Sequence, residues 1–214
     1  MSLDRPVIVI GGGSHAKDVI EALKLCSVKL IGATDPDPKL EGIKILGVDV
    51  LGGDDLVFKH HVDSVLLANG VGSLINVTSR RAVFEKFKKR GYRFTNVIHP
   101  AAIISEGVDF GEGVQVMAGA IVQSGVILGD DVLVNVRACV GHDSKVGAHA
   151  HIATMSLVSG GVIVGDNVFV GAGAIVIQGF HIGAAAMIGA GAIVNKNVEP
   201  GSKIIGSRLW ALSQ

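Results

Sequence analysis

A hydrophobic position that recurs every six residues through the second half of this chain is its most constraining feature. From Ile98 to Val194, all seventeen positions in steps of six carry an aliphatic or aromatic residue, in a chain that is 49% hydrophobic overall. Chance would produce such a run about once in 10⁵ sequences of this composition, so the period reports a structure. Two residues before these positions lie small or β-branched residues such as Ala120 and Val126. Each unit is therefore predicted to be a short strand and a corner, with both columns pointing inward.

Glycine and proline mark the corners and the end of this repeat. Glycine follows the hydrophobic residue in eight of the seventeen units, including Gly129, Gly141 and Gly165. These glycines are interpreted as corner residues with positive φ, a conformation that glycine adopts without steric cost. Pro200 falls on a hydrophobic position and is predicted to end the repeat, with residues 206–214 forming a short cap.

The first 97 residues have a different organisation, in which strand patterns alternate with helical ones. The predicted strands are Pro6–Ile10, Val28–Ala33, Ser64–Ala68 and Arg93–Ile98, and the predicted helices begin at Ala16 and span Leu74–Arg90. Such alternation favours a parallel sheet with helices on its faces. We expect an α/β Rossmann-like domain over residues 1–97, followed by a β domain over residues 98–214.

Composition narrows the range of partners. Nineteen basic residues balance nineteen acidic ones, and aromatic residues make up 4% of the chain, which argues against nucleic acid as a partner. No stretch reaches the roughly 18 apolar residues that a spanning helix needs, and the N-terminal apolar segment reads as a first strand rather than a signal peptide. Two cysteines give no disulfide framework, so a cytoplasmic location is expected. A small or nucleotide-sized partner is predicted.

Three histidines and an aspartate interrupt the apolar repeat between Val140 and Gly161. His142 and the adjacent Asp143 lie at positions that the repeat leaves free. One coil contains three units of six residues, so Gly160 of the following coil is predicted to stack against His142. A residue without a side chain at that position leaves space for a ligand beside the imidazole. His151 lies half a coil away and would reach His142 only across a subunit boundary. An isolated polar histidine is usually solvated surface, but the carboxylate and the glycine favour a general base here.

Three polar turns follow the predicted strands of the first domain. A glycine turn contains Gly11, Gly13, Ser14 and His15, an aspartate turn contains Asp35 and Asp37, and a third turn begins at Asn69. Ligands of open parallel sheets bind beyond the carboxyl ends of the strands, where all three turns are expected to meet. The glycine turn fails as a dinucleotide fingerprint, because Ala16 stands where a third glycine is required. By itself it is also compatible with a plain strand-to-helix corner.

Together, the glycine turn ending at His15, the aspartate turn and the six-residue repeat with a His-Asp step resemble a known family. The chain resembles hexapeptide-repeat nucleotide-sugar N-acetyltransferases and sialic acid O-acetyltransferases related to the bacillosamine pathway enzyme. The resemblance implies a left-handed parallel β-helix with three units per coil. It also implies that His142 is the base, that Asp143 orients it, and that His151, Gly160 and Gly161 meet the acetyl-CoA thioester region. The nucleotide part would be held by the glycine and aspartate turns and by Asn69.

What the resemblance implies is direct acetyl transfer from acetyl-CoA to the amino group of a nucleotide-activated sugar, in a homotrimer and without a metal. Outward residues such as Met117, Ala153 and Ile177 are expected to pack on a neighbouring subunit. A sialic acid type sugar O-acetyltransferase remains an alternative. A non-catalytic sugar-nucleotide-binding or scaffold protein is an alternative from another class, because hexapeptide helices also serve structurally.

Two other chemistries are weaker. The histidines beyond residue 98 lack the ligand spacing of the zinc carbonic anhydrases that share this repeat, which argues against a catalytic metal. Cys139 is separated from His142 by a glycine corner, so a buried structural thiol is favoured over a nucleophile.

Overall fold

The structure is a computed structural model that describes residues 5–72 and 78–205. The elements of its N-terminal part are β1 (Val7–Ile10), α1 (Ser14–Leu25), β2 (Leu30–Thr34), β3 (Lys44–Ile45), β4 (Val48–Asp49), β5 (Leu66–Asn69) and α2 (Thr78–Lys88). Three of the strands form a parallel sheet in the order β2-β1-β5. A short antiparallel pair, β3 with β4, follows β2. The part of the predicted second helix before Thr78 lies outside the described residues.

Alternation along β1 explains why helices cover both faces of this sheet. Val7 and Val9 belong to one buried cluster with Ile20 and the rest of the α1 face. Ile8 and Ile10 belong to another cluster, with Phe84 and Phe87 of α2. Successive side chains of a strand point to opposite faces, so a fully apolar strand packs against a helix on each face of the sheet.

The second part is a left-handed parallel β-helix whose two-residue strands stack into three flat faces. The first face contains β6 (Val97–Ile98), β9 (Gln115–Val116), β12 (Leu133–Val134), β15 (His151–Ile152), β18 (Phe169–Val170), β21 (Met187–Ile188) and β23 (Lys203–Ile204). The second face contains β7 (Ile103–Ile104), β10 (Ile121–Val122), β13 (Cys139–Val140), β16 (Leu157–Val158), β19 (Ile175–Val176) and β22 (Ile193–Val194). The third face contains β8 (Asp109–Phe110), β11 (Ile127–Leu128), β14 (Lys145–Val146), β17 (Ile163–Val164) and β20 (His181–Ile182).

Both inward columns predicted from the six-residue period are confirmed. Val116, Val134 and Ile152 of the hydrophobic column are fully buried, as are Val126 and Ala138 of the small column. Strands eighteen residues apart pair in register, for example Cys139 with Leu157. The period therefore fixes both the core and the stacking.

The glycines after the hydrophobic column have a different role from the one predicted. Gly129, Gly141 and Gly165 do not have positive φ; that conformation falls two residues later, as at Asp131 and Asp143. A Cβ on Gly141 would lie 2.6 Å from the backbone nitrogen of Gly160 in the next coil. These glycines are therefore required because neighbouring coils approach closely, not because of their own backbone conformation.

The repeat also continues beyond Pro200, contrary to the prediction. One shortened unit places Val198 beside Ile182, and β23 then pairs with β21. A two-residue deletion shifts the register so that Pro200 falls in a turn instead of on the inward column. The predicted cap over residues 206–214 lies outside the described residues.

The N-terminal sheet packs onto the first face of the β-helix. Met117 and Leu133 share a buried cluster with Val7 and Val9, and Met117 is only 1% exposed. The expectation that Met117 and Ala153 pack on a neighbouring subunit is therefore wrong, since both are buried within the chain. Ile177 remains half-buried.

The junction between the two parts differs from the predicted strand Arg93–Ile98. Phe94 makes an isolated bridge to Leu67 of the sheet, whereas Val97 and Ile98 pair with β9 of the β-helix. The amide of Val97 donates to the carbonyl of Val114, so the backbone has already entered the first coil. Among the described residues, no helix is long and apolar enough to cross a membrane.

Candidate active site

A cleft of about 620 Å³ lies between the glycine turn and the first face of the β-helix. Six of the residues predicted to bind a ligand line this cleft: four from the glycine turn of the N-terminal part, one from the aspartate turn and one from the β-helix. The lining residues are Gly11, Gly13, Ser14, His15, Asp18, Asp35, Gly70, Val71, Gly72, Leu133, Asn135 and His151. The structure thus brings the turns after β1, β2 and β5 together, as the parallel topology requires.

The two aspartates of the second turn differ in their placement. Asp35 lines the cleft, and its Oδ2 accepts a hydrogen bond of 2.7 Å from the amide of Gly12, which ties the aspartate turn to the glycine turn. Asp37 does not line the cleft; its side chain caps the short helix Pro38–Leu40 by accepting from the amide of Lys39. Of the pair, Asp35 is the one that lies at the cleft, and its second oxygen, Oδ1, accepts from the amide of Asp37.

Asn69 is also placed away from the cleft, although its turn forms part of the wall. Its side chain is buried, donates to the carbonyl of Arg80 and to Asp131 Oδ1, and accepts from the amide of Val71. Asn69 therefore shapes the turn that contains Gly70 and Gly72 instead of presenting an amide to the cleft.

A buried ion pair joins α2 to the β-helix, and the sequence patterns did not single it out. Arg80 Nη2 lies 2.9 Å from Asp131 Oδ1, with the two side chains 3% and 0% exposed. Burial lowers the pKa of Arg80, and the Coulombic attraction and hydrogen bond of Asp131 oppose that shift. His149, which had no predicted role, places Nδ1 3.2 Å from Asp131 Oδ2. In the sequence, this cluster was indicated only by Asp131 and His149, which are polar residues inside a strongly apolar repeat.

His151 projects from the first face into the cleft. Its ring packs edge-on against Phe169 of the next coil, and its Nε2 lies 3.1 Å from Asn135 Nδ2. Asn135 Oδ1 accepts from the amide of Val136, so Nδ2 is the donor and His151 Nε2 the acceptor. The structure therefore places His151 beside the predicted nucleotide-binding turns of its own chain.

His142 and Asp143 form a second, exposed pair after β13. His142 Nδ1 lies 2.9 Å from Asp143 Oδ2, and the side chains are 63% and 75% exposed. A Cβ on Gly160 would lie 2.5 Å from His142 Nε2, which confirms the predicted stacking. The amide of Gly161 donates to the carbonyl of His142, so both glycines are fixed against the histidine. The carboxylate meets Nδ1, and Nε2 lies against Gly160. The space predicted to hold a ligand beside the imidazole is therefore filled by the imidazole itself.

The two groups of predicted residues lie at different places on the prism. His142 occupies the vertex between the second and third faces, because it follows β13 and precedes β14. The cleft lies on the first face, at β12 and β15, opposite that vertex. Within one chain, the structure therefore does not bring His142 to His151 or to the glycine turn.

The weaker chemistries gain no support from the geometry. Burial raises the pKa of the half-buried Cys139 thiol, which disfavours the thiolate that a nucleophile requires. Within residues 5–72 and 78–205, no three His, Cys, Asp or Glu side chains are grouped as a metal site would need.

Comparisons with known proteins cover both parts of the chain. Residues 161–196 match the family model described as the hexapeptide repeat of succinyl-transferase. The acetyltransferase domain of PglB from Neisseria gonorrhoeae is 30% identical, with a TM-score of 0.86 over 95% of this chain and 97% of that one. Perosamine N-acetyltransferase from Caulobacter crescentus, solved as a histidine mutant with CoA and GDP-perosamine, is 35% identical, with a TM-score of 0.85 over 95% of both chains.

WeeI from Acinetobacter baumannii shares the fold, with a TM-score of 0.82 at 22% identity over 94% of this chain and 97% of that one. The comparison with curated proteins gave no match. The stacked units and the matched repeat model define a β-helical protein of the hexapeptide-repeat class. Given the identity and coverage of the first two relatives, the chain belongs to the hexapeptide-repeat nucleotide-sugar N-acetyltransferase family.

Proposed function

We propose that this enzyme transfers the acetyl group of acetyl-CoA to the amino group of a nucleotide-linked amino sugar, with His142 as general base. The observation that carries the proposal is the His142–Asp143 pair standing over Gly160. An ion pair this exposed adds little to folding stability, so folding alone does not explain it. With Nδ1 bound to Asp143, Nε2 is the nitrogen that accepts the proton of the attacking amine.

Two similar proteins support the choice of substrates. The PglB acetyltransferase domain has been solved with acetyl coenzyme A, and the perosamine N-acetyltransferase with CoA and GDP-perosamine. We propose that residues 1–97 form a Rossmann-like domain that binds the nucleotide part in the cleft through Gly11, Gly13, Ser14, His15 and Asp35. Residues 98–214 then hold acetyl-CoA, with Gly160, Gly161 and His151 near the thioester.

The positions of the two groups support an active site shared between subunits. His142 lies at the vertex opposite the face that contains the cleft, so a neighbouring copy must supply one of the two. A prism with three flat faces suits a cyclic homotrimer, in which each site uses His142 of one chain and the cleft of the next. Exposed Ile103, Ile175 and Ile193 on the second face offer apolar surface for such contacts.

The reaction is tested by incubating the protein with acetyl-CoA and a panel of nucleotide-linked amino sugars, while free thiol release is followed. We expect thiol release with at least one amine acceptor and formation of its acetamide. Thiol release only with hydroxyl acceptors would show that the enzyme is a sugar O-acetyltransferase instead. Binding of nucleotide sugars without thiol release would favour a non-catalytic protein.

Mixed trimers test the shared site. We expect a co-expressed mixture of His142→Ala chains and Asp35→Ala chains to recover about a quarter of wild-type activity, because one site in four then combines an intact histidine with an intact cleft. Each variant alone is the control and should be nearly inactive. Mixed trimers no more active than the two single variants would show that the site lies within one chain.

Substitution of Gly160 separates catalysis from folding. We expect Gly160→Ala to keep its fold and lose most activity, since the new Cβ displaces the movable His142 imidazole. Positions separated from Gly160 by multiples of six carry Ala148, Ala172 and Ala184, so the backbone at this corner accepts a side chain.

Gly165→Ala is the matched control. Its Cβ would lie 2.6 Å from the backbone nitrogen of Ala184, so its stability should fall instead. Thermal unfolding and turnover, measured on both variants, distinguish the two effects; wild-type turnover in Gly160→Ala would contradict this role of the glycine.

A further inference from the structure

Gln115 is a fully buried polar residue at the junction of the two parts of the chain, in strand β9. Its Nε2 donates a hydrogen bond of 2.7 Å to the carbonyl of Asn69, and its Oε1 accepts one of 3.1 Å from Arg80 Nη1. His15 Nε2 lies 2.8 Å from the same Oε1. Burying an amide is costly unless its polar atoms are bonded, and here both ends have partners.

These partners determine which way the Gln115 amide points. A carbonyl can only accept and a guanidinium can only donate, so Nε2 must face Asn69 and Oε1 must face Arg80. Oε1 has no proton to give, and His15 Nε2 must therefore carry the proton that they share. The structure thus assigns the tautomer of His15 by chemistry: a neutral imidazole here is protonated at Nε2 and bare at Nδ1.

The unprotonated nitrogen, Nδ1, lies on the side of the ring that faces Asp18. His15 lines the cleft, and its Nδ1 is 3.8 Å from Oδ2 of Asp18, which also lines the cleft. That distance is too long for a hydrogen bond. Within residues 5–72 and 78–205, Nδ1 accepts no hydrogen bond, so it is available as an acceptor for a ligand group placed between the glycine turn and the first face.

We propose that Gln115 is a positioning residue that locks His15 as the Nε2–H tautomer, so that Nδ1 accepts a hydrogen bond from a donor group of the bound nucleotide sugar. A hydroxyl or amino group meets this requirement, and a phosphate oxygen, which has no proton at neutral pH, does not. The inference rests on the proposed function for the identity of the ligand. It assigns His15 to a hydroxyl or amine and leaves the diphosphate to the backbone of the glycine turn.

The tautomer is tested by NMR of the intact protein labelled with ¹⁵N-histidine, whose ring nitrogens report directly where the proton sits. The chain contains eight histidines, so the His15 signals are assigned by their loss in His15→Asn. We expect a protonated Nε2 and a bare Nδ1 without any ligand. A proton on Nδ1 and none on Nε2 in the wild type would overturn the proposal. This readout does not depend on acetyl transfer, so it stands even if the proposed function fails.

A matched pair of variants tests the role of Gln115. Gln115→Glu keeps a strong acceptor beside His15 and should preserve the proton on Nε2. Gln115→Met leaves only a weak thioether acceptor there and should release the ring to a mixture of tautomers. Binding of the nucleotide sugar to Gln115→Met should weaken about tenfold, with kcat at saturation nearly unchanged, as expected for loss of a hydrogen bond used in binding. An unchanged tautomer in Gln115→Met would rule out the lock.

The ligand half of the proposal is tested by adding GDP, UDP or UDP-N-acetylglucosamine to the labelled protein. We expect at least one of them to shift the Nδ1 resonance while Nδ1 stays unprotonated. Conversion of His15 to the doubly protonated form on binding would indicate a phosphate partner and overturn this half. So would an Nδ1 resonance unaffected by all three compounds.

Discussion

Replacing His142 by alanine should lower kcat by about 10² to 10⁴ while leaving the fold intact, since positioned general base catalysis contributes factors of that size. The imidazole is exposed and contacts Asp143 instead of the core, so its removal creates no cavity. Steady-state kinetics with acetyl-CoA and the acceptor sugar, together with thermal unfolding, measure both effects. The KM for each substrate should change little, because the proposed base acts in the transition state.

Two further variants test whether the effect is specific to His142 and whether it depends on Asp143. His181→Ala removes another exposed histidine, on the third face, and should retain wild-type kcat. Asp143→Asn keeps the size of the side chain but not its charge, and should fall between wild type and His142→Ala if the carboxylate orients the ring. A His142→Ala enzyme with kcat within a few-fold of wild type would exclude His142 as the base.

The size of the decrease in kcat for His142→Ala also indicates whether the acceptor is an amine or a hydroxyl. An amine must lose its proton only late in the reaction, whereas a hydroxyl is a poor nucleophile until it is deprotonated. A loss near the lower end of the range is therefore expected for an amino sugar, and one near the upper end for a hydroxyl acceptor.

The largest expected stability effect is at Asp131. We expect Asp131→Asn to lower the free energy of unfolding by about 3 kcal/mol or more, because it leaves the buried Arg80 guanidinium without its counter-ion. The unpaired charge is the main cost, since burial already lowers the pKa of Arg80 and Asp131 opposes that shift. Asparagine tolerates the positive φ of 56° at this position, so backbone strain does not contribute. The melting temperature should fall by roughly 10 °C at equal protein concentration.

An exposed ion pair provides the control. Asp49 pairs with Lys44 at 3.1 Å, with both side chains more than half exposed, and Asp49→Asn should cost less than about 1 kcal/mol. In the double variant Arg80→Met with Asp131→Asn, part of the lost stability should return, because no buried charge is left unpaired. Equal losses in Asp131→Asn and Asp49→Asn would show that the Arg80–Asp131 pair does not lock the two parts together.

Much of the fold follows from local sequence. The six-residue period specifies which side chains enter the core, and Gly160 beside His142 follows from counting one coil of eighteen residues. The period also misled in two places. It suggested positive φ at Gly141, where the cause is the close approach of Gly160, and it suggested an end at Pro200, where a two-residue deletion restores the register.

The sequence by itself therefore determined the stacked repeat, the inward columns and the His142–Asp143 step, because each depends on a spacing along one chain. Only the tertiary structure decided that Asp35 and not Asp37 lines the cleft, that Asn69 is buried, and that Gln115, Arg80 and Asp131 join the two parts. The contacts of Gln115 and Asp131 that join the two parts connect residues 35 to 100 positions apart, and no local period encodes them. The position of His142 opposite the cleft is likewise a property of the closed prism, in which every third strand returns to the same face.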